Sequence, residues 1–257
     1  METCQSGLSC FLAKEVGFTP PEVRILSSPP FRASTRHLPR AGFFVTMTSM
    51  KEILALLADW ANGIFAVVLA SFITSTEVVW WHFLIGILIA MCPDLDAIPE
   101  LIKRKRLAAS AEHLSDHREG LHYPVIFLVV GGILVYLYPF YGWMFLIAVM
   151  LHFINDLYGT GWGIPLLWPL TDRRYKLLGR RVNRMKSILV EDGDWEKLPD
   201  SERRLRLIVS WEKKELTSYI QKWGMENWIN RYYLNINWIS GIEYGLFMFA
   251  IVLIFIY

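Results

Sequence analysis

The run GLHYPVIFLVVGGILVYLYPFYGWMFLIAVMLHFIN, residues 120–155, contains no Asp, Glu, Lys or Arg. As one helix these 36 residues would reach roughly 54 Å at about 1.5 Å per residue, well beyond the ~30 Å hydrocarbon core of a bilayer. The run is therefore expected to fold back on itself. The break falls at Tyr138-Pro139-Phe140-Tyr141-Gly142-Trp143, where Pro and Gly punctuate a helix and aromatic rings suit the headgroup level of a membrane. Leu121–Tyr138 and Gly142–Leu157 thus read as a helical hairpin.

The rest of the chain agrees with a lipid environment. Of 257 residues, 54% are apolar or aromatic and 19% are charged, whereas soluble chains carry about 25% charged residues. Composition disfavours a disordered or collagen-like chain. The only cysteines are Cys4, Cys10 and Cys92, an odd number without a CxxC pair, which disfavours a disulfide scaffold. A second hairpin precedes the first: Ile53–Ile73 crosses, Thr74-Ser75-Thr76-Glu77 turns, and Val78–Cys92 returns until Pro93 stops it. Its first helix carries Asp59 and Asn62, and its second falls short of the about 20 residues of a full span. A fifth span, Trp238–Tyr257, contains Glu243.

The 26 basic residues lie in three blocks: six in residues 1–51, five between Lys103 and Arg118, and fifteen between Arg173 and Arg231. Two hairpins place 1–51, 93–120 and 158–236 on one face, which the positive-inside rule makes cytoplasmic. The expected fold is all-α: a polytopic bundle of four to five spans in the cytoplasmic (inner) membrane, two hairpins plus a C-terminal span, with a cytoplasmic amphipathic helical segment. Residues 1–46 hold five of the twelve prolines and no long apolar run. They read as a disordered or mis-assigned extension rather than a signal peptide, with Met47 and Met50 as alternative starts to Met1. Residues 47–171 form the membrane-embedded core and 237–257 the C-terminal transmembrane helix. Between them, in 172–236, Arg203–Trp211 and Leu216–Trp228 mix basic, aliphatic and Trp residues at helical spacing, which predicts amphipathic helices. Glu191-Asp192-Gly193-Asp194 with Pro199 marks a turn and lacks the ligand spacing of an EF-hand.

Three polar clusters sit at the expected cytoplasmic ends of apolar helices. Pro93-Asp94-Leu95-Asp96 follows a span; His117-Arg118-Glu119-Gly120-Leu121-His122-Tyr123-Pro124 leads into the next; His152, Asn155 and Asp156 lie in the fourth helix. Gly120 permits a turn and Pro124 suits a first helical turn, so His117 and His122 can approach one point. His152 and Asp156, four apart, face the same way, and an ionisable pair in an apolar helix is costly without partners. Taken singly, each cluster also fits a bland reading: solvated helix-end acids, surface histidines, or a packing hydrogen bond. Jointly they offer three imidazoles and three carboxylates, enough ligands for one or two divalent metals. Such a metal would activate water and screen an anionic transition state, while Arg118 could hold an anionic group. His113 and His82 read as surface and interfacial residues, and His37 has no visible role.

Pro93-Asp94-Leu95-Asp96, His117-Arg118-x-x-x-His122 and His152-x-x-x-Asp156, followed by Gly161, Gly163, Pro165 and Pro169, together resemble the YdjM-type family of inner-membrane-associated proteins described as metal-dependent hydrolases and also labelled LexA-binding. The resemblance covers roughly residues 50–180. It implies a prokaryotic membrane protein with a metal site formed by Asp94, Asp96, His117, His122, His152 and Asp156. Many relatives begin the first span with a Thr-His pair, where this chain has Asp59 and Asn62, so a ligand from that helix is in question. Many also read His-Arg-Gly-x-Thr-His-Ser, where this chain has Glu119, Leu121 and Tyr123. That change removes hydroxyl donors around the imidazoles and leaves the imidazoles themselves.

The resulting expectation is a metal-dependent hydrolase (Zn, Mn or Mg) at the cytoplasmic membrane interface, acting on a phosphoester or lipid-like ester in the bilayer. Arg118 would steady the anion, with Glu119 and Glu112 as candidate general acids. The alternative is a non-catalytic membrane protein with a structural metal site or a metal- or ion-handling role. A conduit needs polar residues continuing to the far side, and the third and fourth helices have none. Nucleic acid is not expected, because the fifteen basic residues of 172–236 are interspersed with ten acids and no DNA-binding motif accompanies them.

Overall fold

Tyr138 ends one helix and Pro139 begins the next, so the bend falls where the sequence places it. Both helices of this hairpin start with proline, which lacks the N–H that a first helical turn leaves unbonded. In this computed structural model, residues 50–98, 118 and 120–257 are described. All of them belong to one compact unit, 46–257. The N-terminal extension 1–46, Glu112, His113, His117 and Glu119 lie outside the described residues.

The elements in chain order are α1 (Met50–Leu54), α2 (Leu57–Thr74), α3 (Trp80–Ala90), a 3-10 turn (Cys92–Asp96), α4 (Pro124–Leu137), α5 (Pro139–Tyr158), β1 (Arg174–Gly179), α6 (Lys186–Glu191), a second 3-10 turn (Trp195–Lys197), α7 (Asp200–Arg203), β2 (Arg206–Trp211), α8 (Lys213–Trp223), α9 (Trp228–Tyr232) and α10 (Trp238–Ile256). Helices α2, α5 and α10 are long and apolar enough to cross a membrane. The other two arms are shorter, with α3 having 11 residues and α4 having 14. Of the five expected spans, three therefore reach full length among the described residues. Ser75 closes α2 in the left-handed region at φ 51°, its N–H bonded to the Ser71 carbonyl, and this turns the chain back into α3. Asn237 opens α10 by accepting the N–H groups of Ile239 and Ser240, which satisfies donors that a helix start leaves open.

Helix α2 lies at the centre, packed against α3, α5 and α10, and α5 packs against α4 as well. Small residues permit this closeness. Ala61, Ala66 and Ala70 are fully buried, and α2 crosses α3 glycine against glycine. A Cβ on Gly86 would lie 2.5 Å from the Gly63 carbonyl oxygen, and one on Gly63 only 2.4 Å from the Ile87 Cα. Small-residue crossings of this kind suit helices that associate by close contact in an apolar solvent. The outer faces stay apolar and uncovered: Ile126, Val129 and Ile133 on α4, and Phe249, Val252 and Phe255 on α10. Such surface belongs in lipid.

The segment 172–236 departs from the expected all-helical form. Arg206–Trp211 is a strand, paired antiparallel with Arg174–Gly179 in the register Arg174↔Trp211, Lys176↔Val209 and Gly179↔Arg206. Helical spacing and alternation compete in Arg203–Trp211, and alternation wins because Val209 and Trp211 both enter a core with Trp162, Leu189, Ile220 and Trp223. The amphipathic expectation holds for α8, which presents Leu216, Ile220 and Trp223 to that core. Strand β1 packs against α5 and so brings this layer to the end of the helix carrying His152 and Asp156.

The α2–α3 crossing is testable. Gly86→Ala should lower the thermal unfolding temperature of detergent-solubilised protein, since overpacking of this kind costs about 1–3 kcal/mol. Gly132→Ala, where the added Cβ meets nothing within 4 Å, should raise it slightly through helix propensity. Equal shifts in the same direction would overturn the close crossing.

Candidate metal centre

The bundle's up-and-down course brings the start of α2, the end of α3, the approach to α4 and the end of α5 to one place. The 3-10 turn after α3 sends Asp94 and Asp96 to different tasks. Asp96 Oδ2 accepts the backbone N–H of Gly120 at 3.2 Å and of Leu121 at 2.9 Å, and lies 3.0 Å from His122 Nδ1. Asp94 Oδ1 lies 3.3 Å from His122 Nε2 and 3.7 Å from His152 Nε2. From α5, Asp156 Oδ2 lies 3.2 Å from His122 Nε2 and 3.5 Å from His152 Nε2. The two ring centroids are 5.7 Å apart.

Each imidazole is thus held from behind by one carboxylate. His152 Nδ1 is 2.7 Å from Asp59 Oδ1, and His122 Nδ1 has Asp96. An ionised carboxylate only accepts, so each Nδ1 carries a proton and each Nε2 turns inward. The same carboxylate–histidine arrangement fixes the ligating nitrogen in metal sites. Asp94, His122 and His152 each offer a ligand atom, and these atoms lie within 4.8 Å of one another. The Asp156 oxygen that faces both imidazoles and the inward Nε2 of His152 are buried without a hydrogen-bond partner, an arrangement that calls for an explanation in a folded protein. Two imidazole nitrogens with carboxylate oxygens form a donor set that suits zinc or manganese better than the all-oxygen shell typical of magnesium. These residues fit a divalent metal.

Arg118 is part of the same cluster. Its Nη2 lies 2.5 Å from the other oxygen of Asp156, and Arg174 Nη2 donates to its backbone carbonyl at 3.1 Å. The guanidinium rests on Gly161, where a Cβ would fall 1.2 Å from Nη1. Gly163 sits at φ +72°, and a Cβ there would strike the Tyr175 carbonyl. The glycines after α5 therefore leave room for Arg118 on one side and for β1 on the other.

Of the expected site residues, Asp94, Asp96, Arg118, His122, His152 and Asp156 come together, while His117 and Glu119 lie outside the described residues. Asp96 stands behind His122 rather than at the point of convergence. Asp59 is the residue whose role the sequence reading missed. It stood out as an interruption of an apolar helix and, with Asn62, as what this chain has where relatives carry a Thr-His pair, but not as the partner of a histidine, although an ionisable group in such a helix is itself a signal of function. His82 is buried elsewhere, accepting the Val79 N–H at 3.2 Å and packing at a tilt against the Phe140 ring.

Fold and site together define a class: a helical membrane protein that gathers two imidazoles and four carboxylates at one end of its bundle. The sequence pattern described as YdjM inner membrane protein matches residues 60–192, over half of the chain. The chain belongs to the YdjM inner membrane protein family. No curated protein and no solved structure matches it.

Next to the centre, Arg174 and Lys176 project from one face of β1, each 5% exposed. Burial pushes the Lys176 ammonium down to about 7, the Arg118 charge adding to the effect and Asp156 opposing it. The ordinary lysine value is 10.5, so between these limits the folded protein binds fewer protons than the unfolded chain, and stability rises with pH across that window. Denaturation in detergent should show stability increasing from pH 7 towards pH 10, and Lys176→Met should flatten that increase. A wild-type profile already flat there would contradict the buried charge.

Proposed function

We propose that the protein is a membrane-bound, metal-dependent hydrolase acting at the cytoplasmic membrane interface on a phosphoester or lipid-like ester. The observation that carries this reading is the convergence of two carboxylate-backed Nε2 atoms on Asp94 and Asp156. Asp94, His122, His152 and Asp156 would hold the ion, and Asp59 and Asp96 orient the imidazoles. A divalent ion held there supplies Lewis acidity, lowering the pKa of bound water and screening a phosphoryl oxyanion. Arg118 is placed to hold Asp156 and to receive an anionic group beside it.

Access supports a catalytic over a structural role. The Asp94 side chain is 31% exposed, while those of His122 and His152 are 0% and 3% exposed. A structural site closes its shell, whereas a hydrolytic one keeps an open position, and among the described residues Asp94 is the member of the triad that stays partly exposed. The uncovered apolar faces of α4 and α10 fit a bundle embedded in lipid, which suits an amphiphilic substrate.

The reading is tested by metal content, measured by mass spectrometry on detergent-purified protein. Near-stoichiometric metal is expected in the wild type, with loss in a folded His152→Ala, Asp156→Ala double variant. Absence of metal in both after incubation with zinc, manganese or magnesium would remove the basis for a hydrolase. Asp59→Asn should weaken zinc binding about 10- to 100-fold, as expected for a partner that orients a ligating imidazole. Equilibrium dialysis against zinc measures the change, and an unaltered affinity would deny Asp59 that role.

A further inference from the structure

Three consecutive carbonyls follow α5, those of Gly159, Thr160 and Gly161, and all three are held from the layer below. Lys176 Nζ donates to Gly159 O at 2.6 Å and to Gly161 O at 3.1 Å. Its third acceptor is Asn183 Oδ1, and Asn183 Nδ2 in turn donates to Thr160 O at 3.1 Å. Lys176 and Asn183 are 5% and 8% exposed. A protonated amine has three N–H groups to give, and each finds one acceptor.

This is an expensive way to hold a loop. A buried ammonium is costly unless paired or fully hydrogen-bonded, and nothing about closing a turn after a helix requires one. What distinguishes this turn is what lies on it. The Arg118 guanidinium rests against Gly161 with no room for a Cβ, and reaches Asp156 from there. Arg174, two residues before Lys176 on the same face of β1, holds the Arg118 carbonyl. One strand thus grips both the backbone of Arg118 and the surface beneath its side chain.

We propose that Lys176 and Asn183 are positioning residues for Arg118: by clamping the carbonyls of Gly159–Gly161 they fix the guanidinium beside the metal centre and so shape its anion subsite. The anion subsite rests on the hydrolase reading above; the clamp itself does not. The contribution is that of an extra-membrane layer to a site whose other side chains come from helix ends.

The experiment has two arms, both at pH 6.5, on the protonated side of the Lys176 value of about 7. In the first, metal-free protein is treated with phenylglyoxal and modification of Arg118 is followed by peptide mass mapping. Lys176→Met and Asn183→Ala should each raise the rate several-fold over wild type. Lys197→Met, at a lysine whose side chain is 71% exposed, should leave it unchanged. In the second arm, inorganic phosphate is titrated into zinc-loaded protein. Lys176→Met should weaken phosphate about tenfold, the size of one charge-assisted hydrogen bond, with zinc stoichiometry preserved. In an Arg118→Ala background the same change should cost nothing further, because coupled residues are not additive.

Unchanged Arg118 reactivity in folded variants, or an equal loss of phosphate affinity with and without Arg118, would overturn the proposal. If Lys176→Met fails to fold, Asn183→Ala decides both arms. Failure of the wild type to bind zinc would sink the hydrolase reading, while the modification arm would still decide the clamp.

Discussion

The structure depends on how buried imidazoles and carboxylates find partners. His122, His152, Asp59 and Asp156 are all nearly inaccessible, and a charge taken from water into such surroundings costs several kcal/mol unless it is met. The side chains meet one another: Asp59 with His152, Asp96 with His122, Arg118 with Asp156. None of these pairs is local in sequence. Each therefore ties two elements together, and the set forces the ends of α2, α3 and α5 and the approach to α4 to one level. The helix packing then has to accommodate this convergence, which the small residues of α2 and the glycine crossing with α3 allow.

The two layers of the molecule solve different problems. In the bundle, apolar surface need not be hidden, so α4 and α10 leave large side chains uncovered and cohesion comes from close backbone approach. Below it, the segment after α5 builds a core of its own around Trp162, Trp211 and Trp223. A layer confined to the membrane surface would not need such a core. Strand β1 joins the two, Arg174 holding the Arg118 carbonyl and Lys176 the carbonyls of Gly159 and Gly161, beside the cluster of imidazoles and carboxylates.

Much of the bundle was legible because the membrane imposes a simple rule. Uncharged runs of known length, broken by Pro and Gly, must be helices that turn back, and Tyr138-Pro139 was readable as a break for that reason. The site followed from topology, since helices alternating in direction must bring Asp94, His122 and His152 to the same end. The strand at Arg206–Trp211 was less readable, since Leu207-Ile208-Val209 with Trp211 satisfies both periodicities and only the position of the core separates them. Asp59 was readable as unusual but not as a partner, because nothing in α2 points to a histidine 93 residues away.

The sequence by itself determined that this chain is a helical membrane protein, where its hairpin turns, and which polar residues share an end. Periodicity, charge distribution and the bilayer's thickness suffice for that, being properties of one chain in one solvent. Only the tertiary structure decided which carboxylate stands behind which imidazole, that Asp96 orients while Asp94 converges, and that a lysine from a strand holds the loop beneath Arg118. Those choices depend on distances of about 3 Å between segments far apart in the chain, and composition and spacing carry no information at that scale.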